Sequence, residues 1–227
     1  MSAEHGRVLV IVPAAGSGSR FGGEIPKQFR TLGGKPLLQH VVERLLFDER
    51  VDRTIVPVQE LLLSTIGPSP GDRVQFIAGG ETRKESVTRG LDAAGDDHEI
   101  VAVHDAVRPF FSYDVLHAVI DAAIEYGAAF PAIPIPDTIH VLDGDKIVST
   151  ADRNSLVAAQ TPQCFRVEIL RDVLSRSGDD DASDEAGLAA KYGYTVKAVK
   201  GDSLNFKITR PEDLVMAERI LAEWGAQ

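Results

Sequence analysis

The chain has 227 residues, 44% of them hydrophobic, and 24 Lys and Arg against 34 Asp and Glu give a net charge of −10. Such a composition supports a packed core in one domain spanning 1–227, and its negative balance argues against nucleic acid or an anionic membrane as main partner. The single cysteine, Cys164, excludes an intrachain disulfide and, with no apolar run of membrane-spanning length, points to a soluble chain in the reducing cytoplasm.

The run Val8–Val12 predicts a strand that stops at Pro13 and opens into a loop of small residues, Ala14, Ala15, Gly16 and Gly18, followed by Arg20 and Lys27. Backbone N–H groups in such a loop can approach a polyphosphate, and the two cations can neutralise it. The spacing is neither a Walker A, because Glu24 stands where Lys is required, nor a dinucleotide fingerprint, because Phe21 replaces the third glycine. An ordinary strand-to-loop turn is the alternative; Arg20 and Lys27 favour phosphate.

Pro36–Phe47 carries an apolar helical stripe, and strands are expected at Thr54–Val58 and Val74–Ala78. The junction Gly79–Ser86 then opens a helix over 83–94, either capped simply by Thr82 or reading a base through its backbone and the Ser86 hydroxyl. A strand at Ile100–Val103 leads into His104-Asp105-Ala106-Val107-Arg108-Pro109. Asp105 there can hold Mg²⁺ and Arg108 can fork onto a phosphate, although a structural Asp–Arg pair reads equally well from this segment alone. His104, with no partner ligand nearby, reads as structural.

A helix near Tyr113–Tyr126 and a strand near Ala128–Ile133 complete an alternation that predicts a mostly parallel sheet with helices on both faces. Ligands in such sheets lie beyond the carboxyl ends of the strands, where the loops after Val12 and Val103 both fall. Ile139–Val141 and Lys146–Val148 break the rhythm as a hairpin around Asp143-Gly144, either decoration or an arm that embraces a neighbour. Beyond it, helices are expected near Glu168–Leu174, Glu185–Tyr192 and Pro211–Trp224, with a strand at Thr195–Val199. The acidic run Asp179–Asp181 with Asp184 and Glu185 reads as a solvated loop rather than a metal site. Lys207 sits inside an apolar run and must reach water or an anion, whereas Cys164 reads as a buried filler.

Eight motifs in order resemble the 2-C-methyl-D-erythritol 4-phosphate cytidylyltransferase family: PAAGSGSR at 13–20, PKQF at 26–29, GGETR at 79–83, HDAVRP at 104–109, DTI at 137–139, DRNSL at 152–156, QTPQ at 160–163 and NFKITRPEDL at 205–214. The resemblance implies a Rossmann-like nucleotidyltransferase α/β fold with an inserted β-hairpin dimerisation arm at about 137–150, and a homodimer. It implies transfer of CMP from CTP to methylerythritol phosphate with Mg²⁺ on Asp105. By resemblance, Pro13, Ala14, Ala15, Gly16, Gly18, Arg20 and Lys27 serve the CTP phosphates and ribose, and Gly80, Glu81, Arg83 and Ser86 the cytidine side. Ala106 and Arg108 line the same site, while Thr138, Arg153, Thr161 and Lys207 hold the second substrate. Arg20, Lys27, Arg153 and Lys207 are the catalytic cations this implies. Ribitol 5-phosphate cytidylyltransferases share several motifs but resemble less the Pro-Ala-Ala-Gly start and the Asp-Arg-Asn-Ser-Leu stretch. A nucleotide-binding regulator without turnover is the other alternative, against which the retained cations and Asp105 argue.

Overall fold

The computed structural model describes residues 8–16, 25–66, 69, 71–178, 180 and 184–224. In chain order the strands are β1 Val8–Ile11, β2 Thr31–Leu32, β3 Lys35–Pro36, β4 Val51–Val58, β5 Val74–Ala78, β6 Ile100–Val103, β7 Ala128–Pro134, β8 His140–Asp143, β9 Lys146–Thr150, β10 Val157–Ala159, β11 Gln163–Arg166 and β12 Lys197–Lys200. The helices are α1 Leu37–Leu46, α2 Arg83–Ala94, α3 Tyr113–Tyr126, α4 Val167–Arg176, α5 Glu185–Lys191 and α6 Pro211–Trp224.

Eight strands form the main sheet in the order β10-β7-β11-β6-β1-β4-β5, with β12 also paired to β7. β5, β4, β1 and β6 run parallel, and β11 enters antiparallel between β6 and β7. All four residues of β1 are fully buried, and they divide by alternation. Val8 and Val10 pack with α1 and α3, through Val41, Leu45, Leu116 and Val119. Leu9 and Ile11 pack on the opposite face with α2 and α4, through Val87, Leu91 and Leu170. Each such side chain contributes about 1.5–3 kcal/mol on burial, so a sheet covered on both faces needs continuous apolar strands. Against the second face, α2 comes so close that a Cβ at Gly90 would lie 2.7 Å from Ile11 Cγ2.

Helix starts follow their caps. The Thr82 side chain accepts from Glu85 N–H at the start of α2, and Ser112 accepts from Val115 N–H at the start of α3. α6 is seated by a third cluster, in which Ala217 joins Leu32, Leu37, Val107, Phe110 and Ile208.

The chain steps from β1 outward through β4 to β5, then returns to the other side of β1 as β6. That reversal makes the β1/β6 boundary a topological switch point, where the connections diverge and leave a crevice. Beyond the strand ends the ladder continues briefly, with Val12 N–H donating to Ile55 O, Ala14 N–H to Pro57 O and His104 N–H to Ile11 O. These bonds fix the small-residue loop and the His104–Arg108 segment side by side.

Two sequence expectations change. The sheet gains β10 and β11, which flank a cis Thr161–Pro162 peptide and are too short to show a period. The hairpin turn is centred on Gly144–Asp145, because Asp143 pairs with Lys146. Gly144, at φ +61°, takes the first central position, which a II′ turn reserves for glycine.

Candidate active site

A cavity of about 210 Å³ opens at the switch point. Pro13, Ala14, Ala15 and Gly16 form one wall, Gly80, Glu81, Arg83 and Ser86 another, and Asp105 and Ala106 the floor, with Lys27 and Lys207 at the sides. Gly18 and Arg20 lie outside the described residues. The structure thus gathers into one space sequence candidates from five separate segments.

At the centre is the Asp105 carboxylate. Lys207 Nζ lies 3.0 Å and Arg108 Nε 3.1 Å from Oδ2, while Arg83 lies 3.6 Å from Oδ1. Burial alone would raise the Asp105 pKa, but Lys207, Arg83 and Arg108 together hold the carboxyl well below the usual carboxylate range. Arg83 is a bridge, also hydrogen-bonded to the buried Glu185 at the start of α5. Its burial disfavours the charge, yet Glu185 and Asp105 outweigh that and keep the guanidinium protonated.

Beneath the floor runs a buried polar network. Thr161 Oγ1 accepts from Asp105 N–H at 3.0 Å and lies 3.2 Å from His104 Nδ1. His104 Nε2 contacts Arg108 O at 3.1 Å, and since a carbonyl only accepts, Nε2 carries the proton and Thr161 donates to Nδ1. Complete burial pushes the His104 pKa down to about 4, so the ring is neutral at pH 7. Asn205 donates to Thr161 O at 2.8 Å, and Gln160 Nε2 reaches Asp202 O at 2.7 Å and Asn205 O at 3.2 Å, anchoring the segment that carries Lys207.

Of the two readings the sequence allows for Arg108, the structure shows the internal Asp–Arg pair: Nε donates to Asp105 at 3.1 Å and Nη1 to Asn205 O at 2.8 Å. A buried guanidinium needs acceptors on its own level, and the strand end and the Lys207 segment supply them. Glu185 and Asp184 also depart from a solvated reading: Glu185 is 4% exposed, and Asp184 caps α5 while accepting from Gln163. Asp180 pairs with Lys191, and Asp179 and Asp181 lie outside the described residues. The signal missed was the Asp cap directly before an apolar helix face.

Thr138 and Arg153 are exposed and do not line this cavity. Arg153 donates to Pro136 O at 2.7 Å and lines a separate cavity of about 610 Å³ with Lys200. Gln28, overlooked as a single residue, is 3% exposed and bonds through Nε2 to Ala14 O at 2.6 Å and Gly16 O at 2.9 Å. Its position beside Lys27 in Pro-Lys-Gln-Phe was the available clue. Cys164 is fully buried and its thiol is pushed up by burial, as a filler requires.

A switch-point crevice bounded by a small-residue loop, with lysines and a charged aspartate facing one another across it, is the working end of an α/β nucleotidyltransferase. The family model of 2-C-methyl-D-erythritol 4-phosphate cytidylyltransferase matches residues 8–223. An enzyme of that name from Frankia casuarinae is 42% identical over 95% of this chain and 82% of its own length. Another from Geobacillus kaustophilus is 40% identical, covering 96% of this chain and 98% of its own. The crystal structure of the Thermus thermophilus enzyme superposes with a TM-score of 0.79 at 35% identity, over 95% of this chain and 99% of that one. The chain belongs to the 2-C-methyl-D-erythritol 4-phosphate cytidylyltransferase family. Among the described residues no helix is long and apolar enough to cross a membrane.

Proposed function

We infer that this chain transfers the cytidylyl group of CTP to 2-C-methyl-D-erythritol 4-phosphate, a step towards isoprenoid precursors. The observation that carries the reading is the ring of Lys207, Arg83 and Arg108 around Asp105 at the foot of the small-residue loop. A phosphate oxygen of the acceptor attacks the α-phosphorus of CTP, the bond from that phosphorus to the β-phosphate oxygen breaks, and pyrophosphate leaves with the electron pair. An acceptor phosphate with a second pKa of about 6 is already deprotonated at neutral pH and needs no general base. The site agrees: His104 is sealed under the floor with both ring nitrogens committed, and Asp105 is too weak a base while three cations face it.

Catalysis then rests on bringing two anions together and neutralising charge on the α-phosphate. Lys27 and Arg20 are suited to that neutralisation. Lys207 would orient the acceptor phosphate, with its amine shared between substrate and Asp105.

The donor set also fits Mg²⁺. Among the described residues no three His, Cys, Asp or Glu side chains cluster as a protein-only metal site. Mg²⁺, however, commonly takes one carboxylate and completes its shell from substrate phosphates and water. Asp105 lines the cavity and is the carboxylate that would hold such an ion. Bound there, the ion would neutralise phosphate oxygens.

The arm supports a homodimer. Among the described residues β8 and β9 pair with each other alone, and Val141, Leu142, Ile147 and Val148 are each 48–60% exposed. An apolar strip on a lone hairpin calls for a partner surface. With Arg153 at its base and outside the Lys27 cavity, the arm would deliver Arg153 and Thr138 to the neighbour's site. The buried free thiol and absence of a membrane-crossing helix among the described residues are compatible with a cytoplasmic enzyme.

Incubation with CTP, Mg²⁺ and either methylerythritol phosphate or ribitol phosphate tests the reading. Pyrophosphate release is expected with the former; preference for ribitol phosphate would overturn the acceptor assignment, and no release with either would leave a nucleotide-binding regulator.

A further inference from the structure

We propose that Gln28 is the positioning residue that shapes the small-residue loop for the nucleotide's phosphates, acting through the backbone rather than on the substrate. The proposal rests on the CTP reading above and concerns how that site is built.

Gln28 lies in the 3₁₀ turn Lys27–Phe29, and both it and Lys27 line the cavity. Its carboxamide Nε2 donates to two carbonyls of the loop, Ala14 O at 2.6 Å and Gly16 O at 2.9 Å. Both carbonyls belong to the stretch Pro13–Gly16 that lines the cavity. A peptide carries its N–H and C=O in opposite directions, so the Ala14 carbonyl held towards Gln28 leaves the Ala15 N–H directed away from it. Left without that donor, the same carbonyls could rotate towards the cavity and set partial negative charge against a triphosphate.

Several features favour this over simple core filling. Gln28 is almost wholly buried, at 3% exposure. It is a long amide at a place where an apolar residue would pack more cheaply, and a buried amide costs free energy unless its bonds are made. The two bonds of Nε2 go to one loop, 12 and 14 residues away in sequence. Gln28 also ties that loop to Lys27 itself, so loop and lysine are set as one unit.

Gln28→Met keeps length and removes both donated bonds; Gln28→Glu keeps shape and turns the donor into a carboxylate facing two carbonyls. CTP binding is measured by calorimetry without acceptor, KM for each substrate by pyrophosphate release, and folding by thermal melting. The expected result is CTP affinity weaker by about tenfold or more in folded Gln28→Met, more so in Gln28→Glu, with KM for methylerythritol phosphate within about twofold. CTP affinity unchanged in a folded variant overturns the proposal, as does an equal rise in both KM values. Loss of the fold in both variants does the same, since Gln28 would then be structural. If the unsubstituted protein binds no CTP, it is the functional reading that fails.

Discussion

The nucleotide cavity and the hairpin arm are built on opposite principles. Around the cavity, polar groups are buried and bonded to one another: Asp105 is met by three cations, Thr161 donates to His104, and Gln160 and Asn205 clasp the Lys207 segment. In the arm all nine strand residues are exposed, and the apolar ones have water for neighbours in the single chain. The first region is preorganised, with its desolvation cost already met in folding. The second leaves its apolar strip uncovered in the single chain, and in the proposed homodimer a second copy would cover it and receive Arg153.

The sharpest break should come at the cavity edge. Lys27→Ala is expected to slow turnover by about 2.7–4 kcal/mol in barrier, with far less change in binding of the acceptor phosphate. Single-turnover kinetics at saturating substrates measures this, and a near-normal rate would remove Lys27 from the transition state.

Mixing the two regions tests their division of labour. Lys27→Ala and Arg153→Ala dimers should each be nearly inactive. After random subunit exchange, half the dimers are mixed and each holds one intact site, restoring roughly a quarter of the sites. Exchange verified by mass labelling without recovered activity would return Arg153 to its own subunit.

A smaller effect is expected from acid. The folded pKa of His104 is about 4 against an ordinary 6.5. Between those values the unfolded chain binds the extra proton, so stability falls as pH is lowered from 6.5 to 4. The slope approaches about 1.4 kcal/mol per pH unit, an upper bound of about 3 kcal/mol for this group. Denaturant titrations of the protein and of His104→Asn across that range should differ in slope; parallel curves would mean that His104 protonates without leaving its network.

Smallest is the predicted consequence of Arg108→Lys. A lysine can meet Asp105 or Asn205 O but cannot fork onto both, costing about 1–2 kcal/mol of stability, visible in chemical denaturation. A large loss of CTP affinity with unchanged stability would instead restore Arg108 to a phosphate-binding role.

Much of this was legible in the chain. α2 and α3 have the bounds that Thr82 and Ser112 announce, because a cap and a periodic apolar face act locally. The loop at Pro13–Gly16 and the His104–Arg108 segment could be placed at strand ends because both follow short runs of buried β-branched residues. β11 could not be read, since Gln163–Arg166 owes its conformation to β6 and β7 on either side. Residue identity also left the aim of Arg108 open: a fork at a strand end suits an external phosphate or an internal carbonyl equally, and only the position of Asn205 decides. Glu185 was misjudged for the same reason, its partner Arg83 being 102 residues away.

Gly90 sets how closely one wall of the cavity is held to the sheet. α2 begins at the cavity with Arg83 and, two turns later, rests on Ile11 with no side chain between them. The helix therefore works as a lever whose fulcrum is a missing methyl group. Gly90→Ala would lift the helix from the sheet and widen the gap between Ser86 and the small-residue loop, and Ile11→Ala should let it settle back, a reversal that CTP affinity would register. The aperture for the nucleotide is thus gauged from inside the core, at a contact that no substrate touches.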